Sequence, residues 1–142
     1  MATVFEIRDK YRAIDLRQIA EEIVKEDEDQ LLDLNRLQLE EGLDSDGKYI
    51  APEYASDRYA FYKAQAGSRA PYRTPNLKDT GAFYDRMYID SDKFTISSSV
   101  PYAKELENKY GTNIYGISKQ DLQLYAETSF NNKLRNRILN LL

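Results

Sequence analysis

The feature that most constrains this chain is a helical pattern too long for the domain that has to hold it. Leu16, Ile19, Ala20, Ile23 and Val24 recur at i, i+3, i+4, i+7 and i+8, one apolar stripe of an α-helix. Asp15 is placed to cap the start and Gly42 to stop the end. Residues 13–42 therefore read as one long acidic helix, regular from residue 14. About 29 helical residues span roughly 43 Å. A compact chain of 142 residues has a radius of gyration of only about 14 Å. The stripe also falters, because its next turn falls on Asp27 and Glu28, and it resumes only at Leu31 and Leu34. The helix is either interrupted near Lys25–Gln30 or leaves the domain there. Leu31, Leu32, Leu34, Leu37 and Leu39 place five leucines in nine residues. They require cover, from the chain's own core or from another subunit.

Charge follows the same division. Between Glu21 and Asp46, eleven acids face two bases, Lys25 and Arg36, giving −9. The whole chain carries −4, so the remaining residues carry +5. The bland interpretation is a solvated helix face. The alternative is attraction between the acidic arm of one copy and the basic body of the next.

Missing residue types narrow the chemistry. The chain has no histidine, cysteine or tryptophan. Ser-His-Asp triads, thiol nucleophiles, disulfides and His/Cys zinc sites are excluded. Carboxylate-only catalysis survives, as metal-dependent phosphoryl chemistry or a glycosidase pair. With 42% hydrophobic and 31% charged residues the composition is that of a folded domain, with no apolar run of membrane-spanning length and no visible secretory signal. The expectation is one domain over 1–142, folded in the cytoplasm, without cofactor or metal.

Beyond the long helix the chain alternates short elements. Asp44-Ser45-Asp46-Gly47 reads as a turn. It shares two acids with a calcium loop, but the glycine comes too early and Lys48 is wrong for a ligand. Tyr49–Pro52 reads as extended and Ser56–Ala66 as a short helix. Residues 65–76, with Gly67, Pro71 and Pro75, read as an exposed loop. Lys63, Arg69, Arg73 and Lys78 with Tyr72 give this Lys63–Lys78 region the look of a weak nucleic-acid contact. A surface loop ordered by a protein partner is the competing interpretation. Asp79 or Thr80 is placed to cap a short helix, and Gly81 permits close backbone approach. Arg86–Asp90 and Lys93–Ser99 read as two strands, with Met87 and Ile89 alternating in one and Phe94, Ile96 and Ser98 in the other. Ser91-Asp92 predicts the hairpin turn between them. A helix over 101–110 starts with Pro101 and stops before Gly111. Residues 113–117 form a connector, and Ser118 with Asp121 caps a last helix over 118–141. Leu122, Tyr125, Ala126, Leu134, Ile138 and Leu141 are its expected apolar side.

Two of these segments resemble the small tail-completion and virion-morphogenesis proteins of long-tailed bacteriophages. Leu77-Lys78-Asp79-Thr80-Gly81-Ala82-Phe83-Tyr84 is similar to that family's Leu, two residues, Thr or Ser, Gly, then a hydrophobic run into a strand. Pro101-Tyr102-Ala103 through Tyr110-Gly111 to Ile114-Tyr115-Gly116-Ile117-Ser118 resembles its Tyr-Ala helix, aromatic-Gly stop and connector into the last helix. The likeness covers about residues 30–130. Asn113-Ile114 stands where the family often has Arg-Pro, and no histidine precedes Gly111.

The resemblance implies a structural virion protein and no enzyme. It implies a hexameric or dodecameric ring at the neck, joining portal or adaptor to tail, with DNA passing nearby but not specifically bound. It places the protein in the virion, and in the host cytoplasm during assembly. The implied motif residues are Leu77, Thr80, Gly81, Tyr102, Gly111, Gly116 and Ser118. Twelve tyrosines suit subunit contacts. Leu31, Leu34, Leu37, Arg69, Tyr72 and Arg73 are the expected protein-interaction residues, with the C-terminal helix as a further surface. The expected fold is α+β, a small antiparallel sheet built on a hairpin and packed by long N-terminal and C-terminal helices.

Overall fold

A computed structural model describes residues 3–90 and 92–142. The chain opens on a separate helix, α1 (Val4–Ala13), and the long helical pattern after it resolves into two helices, α2 (Leu16–Glu26) and α3 (Glu28–Glu40). The single helix expected over 13–42 is thus corrected at both ends of α2. Thr3 and Glu6 form a capping box that starts α1, a helix outside the long apolar stripe. Ile14 and Asp15 are extended, and the Asp15 carboxylate accepts from Gln18 N–H to begin α2. At Asp27 the break is a single residue. Its N–H still donates to Ile23 O and its carbonyl accepts from Leu31 N–H, both at 2.9 Å, so the ladder bends without parting.

Gly42 ends α3 as expected. It has φ +79, with Gly42 N–H on Leu39 O and Leu43 N–H on Gln38 O, the paired bonds of a Schellman stop. The turn 44–47 follows, and Leu43 bridges Tyr49. Ser56 Oγ accepts from Tyr59 N–H to start α4 (Asp57–Gln65). The 65–76 loop is not uniformly exposed, because Thr74, Pro75 and Asn76 are buried.

α5 (Ala82–Asp85) leads into β1 (Met87–Asp90), which pairs antiparallel with β2 (Thr95–Ser98). Met87 faces Ser98 and Ile89 faces Ile96, so the predicted alternation puts one face of the hairpin inward. The turn expected at Ser91-Asp92 includes Ser91, which lies outside the described residues. Phe94 does not join the inward row. It sits exposed at φ +54, with the Arg17 guanidinium 5.4 Å above its ring.

α6 (Ala103–Tyr110) begins two residues later than Pro101 predicts, after a turn at Pro101-Tyr102. The chain then passes through a 3₁₀ turn (Thr112–Ile114) to α7 (Lys119–Tyr125), a π-helical turn (Ala126–Phe130) and α8 (Asn131–Leu141). The last helix is therefore continuous in direction but not in winding, and Leu122 and Leu141 of its expected apolar side are exposed.

The fold is α+β, helices packed around one hairpin. The main core joins Leu32 and Leu39 of α3 to Phe83, Tyr84, Met87, Val100 and Ile114. A second cluster joins Val24 and Leu31 to Tyr125. Burial of such side chains contributes about 1.5–3 kcal/mol each.

Two glycines separate steric from conformational demands. A Cβ on Gly42 would stand 2.7 Å from Thr74 Cγ2 and 2.9 Å from Ala70 Cβ, while one on Gly47 would meet nothing within 4 Å. Both have positive φ. Gly42→Ala is expected to lose about 2–4 kcal/mol, from the left-handed penalty plus overpacking. Gly47→Ala is expected to lose only about 1–2 kcal/mol. Urea unfolding of the two variants against the parent checks the difference.

Candidate assembly surfaces

α3 organises the region that carries the motif residues. Its buried polar face, Asn35 and Gln38, points at the connector 114–118. Asn35 Nδ2 donates to Ile114 O (3.1 Å) and its Oδ1 accepts from Gly116 N–H (2.8 Å). Gln38 Nε2 donates to Gly116 O (3.0 Å) and its Oε1 accepts from Ser118 N–H (2.6 Å). The side chains thus satisfy both sides of a backbone that no strand accompanies. Gly116 adopts φ +116, and a Cβ there would press on Ser45 Cβ at 3.1 Å. Ser118 then caps α7 through Asp121 N–H (3.2 Å). The leucine stripe of α3 masks this pair in the sequence. Two amides three apart among buried leucines was the available signal.

A second group of motif residues meets elsewhere. Leu77, Thr80 and Tyr102 line a cleft of about 360 Å³ with Tyr54, Tyr59 and Tyr110. Tyr54 and Tyr59 meet edge to face at 4.9 Å. Burial pushes the Tyr54 hydroxyl up to about 12 and raises Tyr59 as well, so both stay neutral contact groups. Leu77 holds φ +58, an uncommon conformation for a bulky residue, and it packs on the main core. Thr80 Oγ1 accepts from Ala82 N–H (3.3 Å), and Gly81 turns into α5 at φ +88. Gly111, also at φ +88, ends α6.

The expected interaction residues divide. Leu37 is 50% exposed, Tyr72 is exposed, and Arg69 is exposed with a 3.8 Å contact to Glu40. Leu34 is half-buried beside the second cluster. Leu31 is buried within that cluster. Arg73 is half-buried: it pairs with Asp57 and donates to Tyr54 O (2.7 Å), stapling the loop to α4. The other loop cations are also engaged. Lys63, its pKa lowered by burial, donates to Lys78 O, and Lys78 pairs with Glu40 at 2.9 Å.

Much of the charge asymmetry is matched within the chain. Arg137 of α8 pairs with Glu22 (3.5 Å) and Glu26, and Lys133 pairs with Asp27. Asp27, which broke the apolar stripe, sits in a polar pocket. Tyr125 donates to it at 2.7 Å and Ser129 at 3.4 Å. Tyr125, Ser129 and Lys133 are spaced by four. Four residues overshoot an α turn and fall short of a π turn, so across the π segment the opposite drifts keep all three on one line. Burial alone would raise the Asp27 carboxyl. The hydrogen bonds from Lys133, Tyr125 and Ser129 and the Lys133 charge outweigh it and hold the group below the usual carboxylate range. Burial first, then the bond to Asp27, raises Tyr125.

Among the described residues no group of three or more acids is arranged to hold a metal, and no helix is long and apolar enough to cross a membrane. α1 buries none of its residues. The chain matches no protein-family model, no characterised protein and no solved structure.

The depressed Asp27 pKa sets a pH dependence. The unfolded chain binds the proton more tightly than the fold does, so this stabilisation is present above the ordinary value of about 3.9 and is lost as pH falls through the folded value. Asp27→Asn is expected to lose about 1–3 kcal/mol at pH 7, discounted because Lys133 is partly solvated. The variant should also lose less stability than the parent between pH 5 and pH 3, by denaturant titration at each pH. An equal loss would place the acid-sensitive carboxylate elsewhere. Asn35→Ala leaves Ile114 O and Gly116 N–H without their partners and is expected to lose about 2–4 kcal/mol in the same assay.

Proposed function

We propose that this chain is a structural subunit of a tailed-phage virion, one that forms a ring at the neck and joins the portal or adaptor to the tail. The observation that carries the proposal is α1. Ten residues of amphipathic helix bury no side chain, although the rest of the chain is folded on two internal clusters. A helix of this length is marginal alone in water and gains stability from an apolar neighbour. That is the behaviour of a protein completed by assembly.

Two further features support the reading. The order Leu77…Thr80-Gly81, Tyr102…Gly111 and Gly116…Ser118 resembles that of tail-completion proteins. The exposed apolar side chains also occur in separate regions, Leu37 on α3, Phe61 and Tyr62 on α4, and Leu122 and Leu124 on α7. Different surfaces meeting head to tail are what ring closure requires. The role assigned to the chain is positional and involves no bond-making step. It is carried in the virion and gathered in the host cytoplasm during assembly.

Particles purified from the phage or prophage that encodes the chain are expected to contain it in a fixed multiple per tail, by quantitative mass spectrometry. Deleting its gene is expected to leave filled heads and separate tails in negative stain. Infective, joined particles lacking the chain would sink the proposal.

A further inference from the structure

We infer that α1 of one copy docks in the acidic groove beside α3 of the next, making the contact between copies heterologous. This deepens the assembly proposal and rests on it for closure into a ring. The contact itself is a property of the purified chain.

The donor surface is written in the helix. Val4, Ile7 and Tyr11 fall at i, i+3 and i+7, forming one stripe, and they are 80%, 39% and 53% exposed. At 3.6 residues per turn, Lys10 falls on one side of that stripe and Arg8 and Arg12 on the other. Glu6 and Asp9 fall away from it. The result is an apolar stripe edged by the cations Lys10 and Arg12, with Arg8 beside it paired to Asp9 at 3.1 Å. Lys10 donates to Leu142 O at 3.0 Å, a surface contact that leaves all three stripe residues exposed.

The acceptor has the opposite pattern. A groove of about 690 Å³ runs between the second half of α3, the 43–47 turn and the start of α7. Leu34, Leu37 and Leu43 supply its apolar lining. Glu41, Asp44, Asp46 and Asp121 supply four carboxylates against the single cation Lys119. The C-terminal end of α3 and its acidic surroundings are not neutralised by α8, whose cations pair with Glu22, Glu26 and Asp27 far along the bent helix. Apolar stripe edged by cations and apolar floor edged by carboxylates are complementary in both respects.

The chain's own α1 lies elsewhere: Lys10 reaches Leu142 O just past the end of α8, and no residue of α1 lines the groove. The occupant is therefore a second copy. A ten-residue helix is about 15 Å long and makes a contact below the usual interface size. Association through it should therefore depend on concentration and, because charge contributes, on salt.

The test uses the full chain in sedimentation velocity and light scattering. The parent is expected to grow beyond its 16.5 kDa monomer as concentration rises, and less so when salt goes from about 0.05 to 0.5 M. Val4→Glu with Tyr11→Glu removes the donor, and Leu37→Glu removes the acceptor. All three positions are exposed, so far-UV circular dichroism should stay unchanged. Each variant alone is expected to remain monomeric. An equimolar mixture is expected to give a 1:1 species of twice the monomer mass and nothing larger, because one intact helix then meets one intact groove. A strictly monomeric parent would overturn the inference. So would Leu37→Glu associating like the parent, or a mixture that stays monomeric, since these indicate helix pairing with helix or another surface altogether. None of these outcomes depends on whether the chain is found in particles, so the two proposals fail separately.

Discussion

Two buried amides hold this molecule in its shape. Asn35 and Gln38, three apart on α3, together make four hydrogen bonds to the backbone of residues 114–118. Each such bond is worth about 0.5–1.5 kcal/mol net, but leaving a buried backbone group without a partner costs about 1–3 kcal/mol. The connector has no strand beside it, so these amides stand in for a ladder. Around them Ser45 N–H reaches Asn113 O at 2.8 Å, and Asn113 Nδ2 reaches Asp46 at 2.9 Å. The turn after α3, the connector and the start of α7 thereby form one rigid corner. The groove assigned to a neighbouring α1 is built on that corner.

A second polar device fixes the other half. Asp27 lies at a position where the apolar stripe calls for a hydrophobe, and three side chains from one line of the last helix answer it. The π turn is the means by which residues 125, 129 and 133 converge. A buried carboxylate of this kind is weak evidence for stability, because desolvation opposes the pairing. Its effect is on geometry: it sets where α8 crosses α2, and Arg137 then reaches Glu22 and Glu26. The attraction between acidic arm and basic body is in part an internal contact. What remains for a neighbour is the acidity at the far end of α3.

Much of the fold was legible in the chain itself. Caps were strong signals wherever a short polar side chain preceded an apolar pattern, as at Asp15, Ser56 and Ser118. Gly42 and Gly111 marked helix ends because positive φ was required there. The hairpin followed from period-two alternation at Met87, Ile89, Ile96 and Ser98. Residues of one type part company in the fold. Leu31 and Leu37 look alike in sequence, yet one is buried and the other half-exposed, because α3 is covered on one side only. Arg73 looked like a free cation, and only the return of the loop to Asp57 makes it a staple.

What the sequence by itself determined was local: where helices start and stop, which hairpin residues face inward, and which chemistries the missing histidine and cysteine exclude. These depend on interactions within a few residues, or on composition alone. The tertiary structure decided what the long helical pattern is for. Its break at Asp27, the clamp from Asn35 and Gln38, and the division of the leucines all depend on contacts from nearly 80 to more than 100 residues away along the chain, which no spacing rule encodes. The pattern too long for one straight helix starts at Leu16 and bends once at Asp27, so that two helices pack on clusters supplied by their own chain.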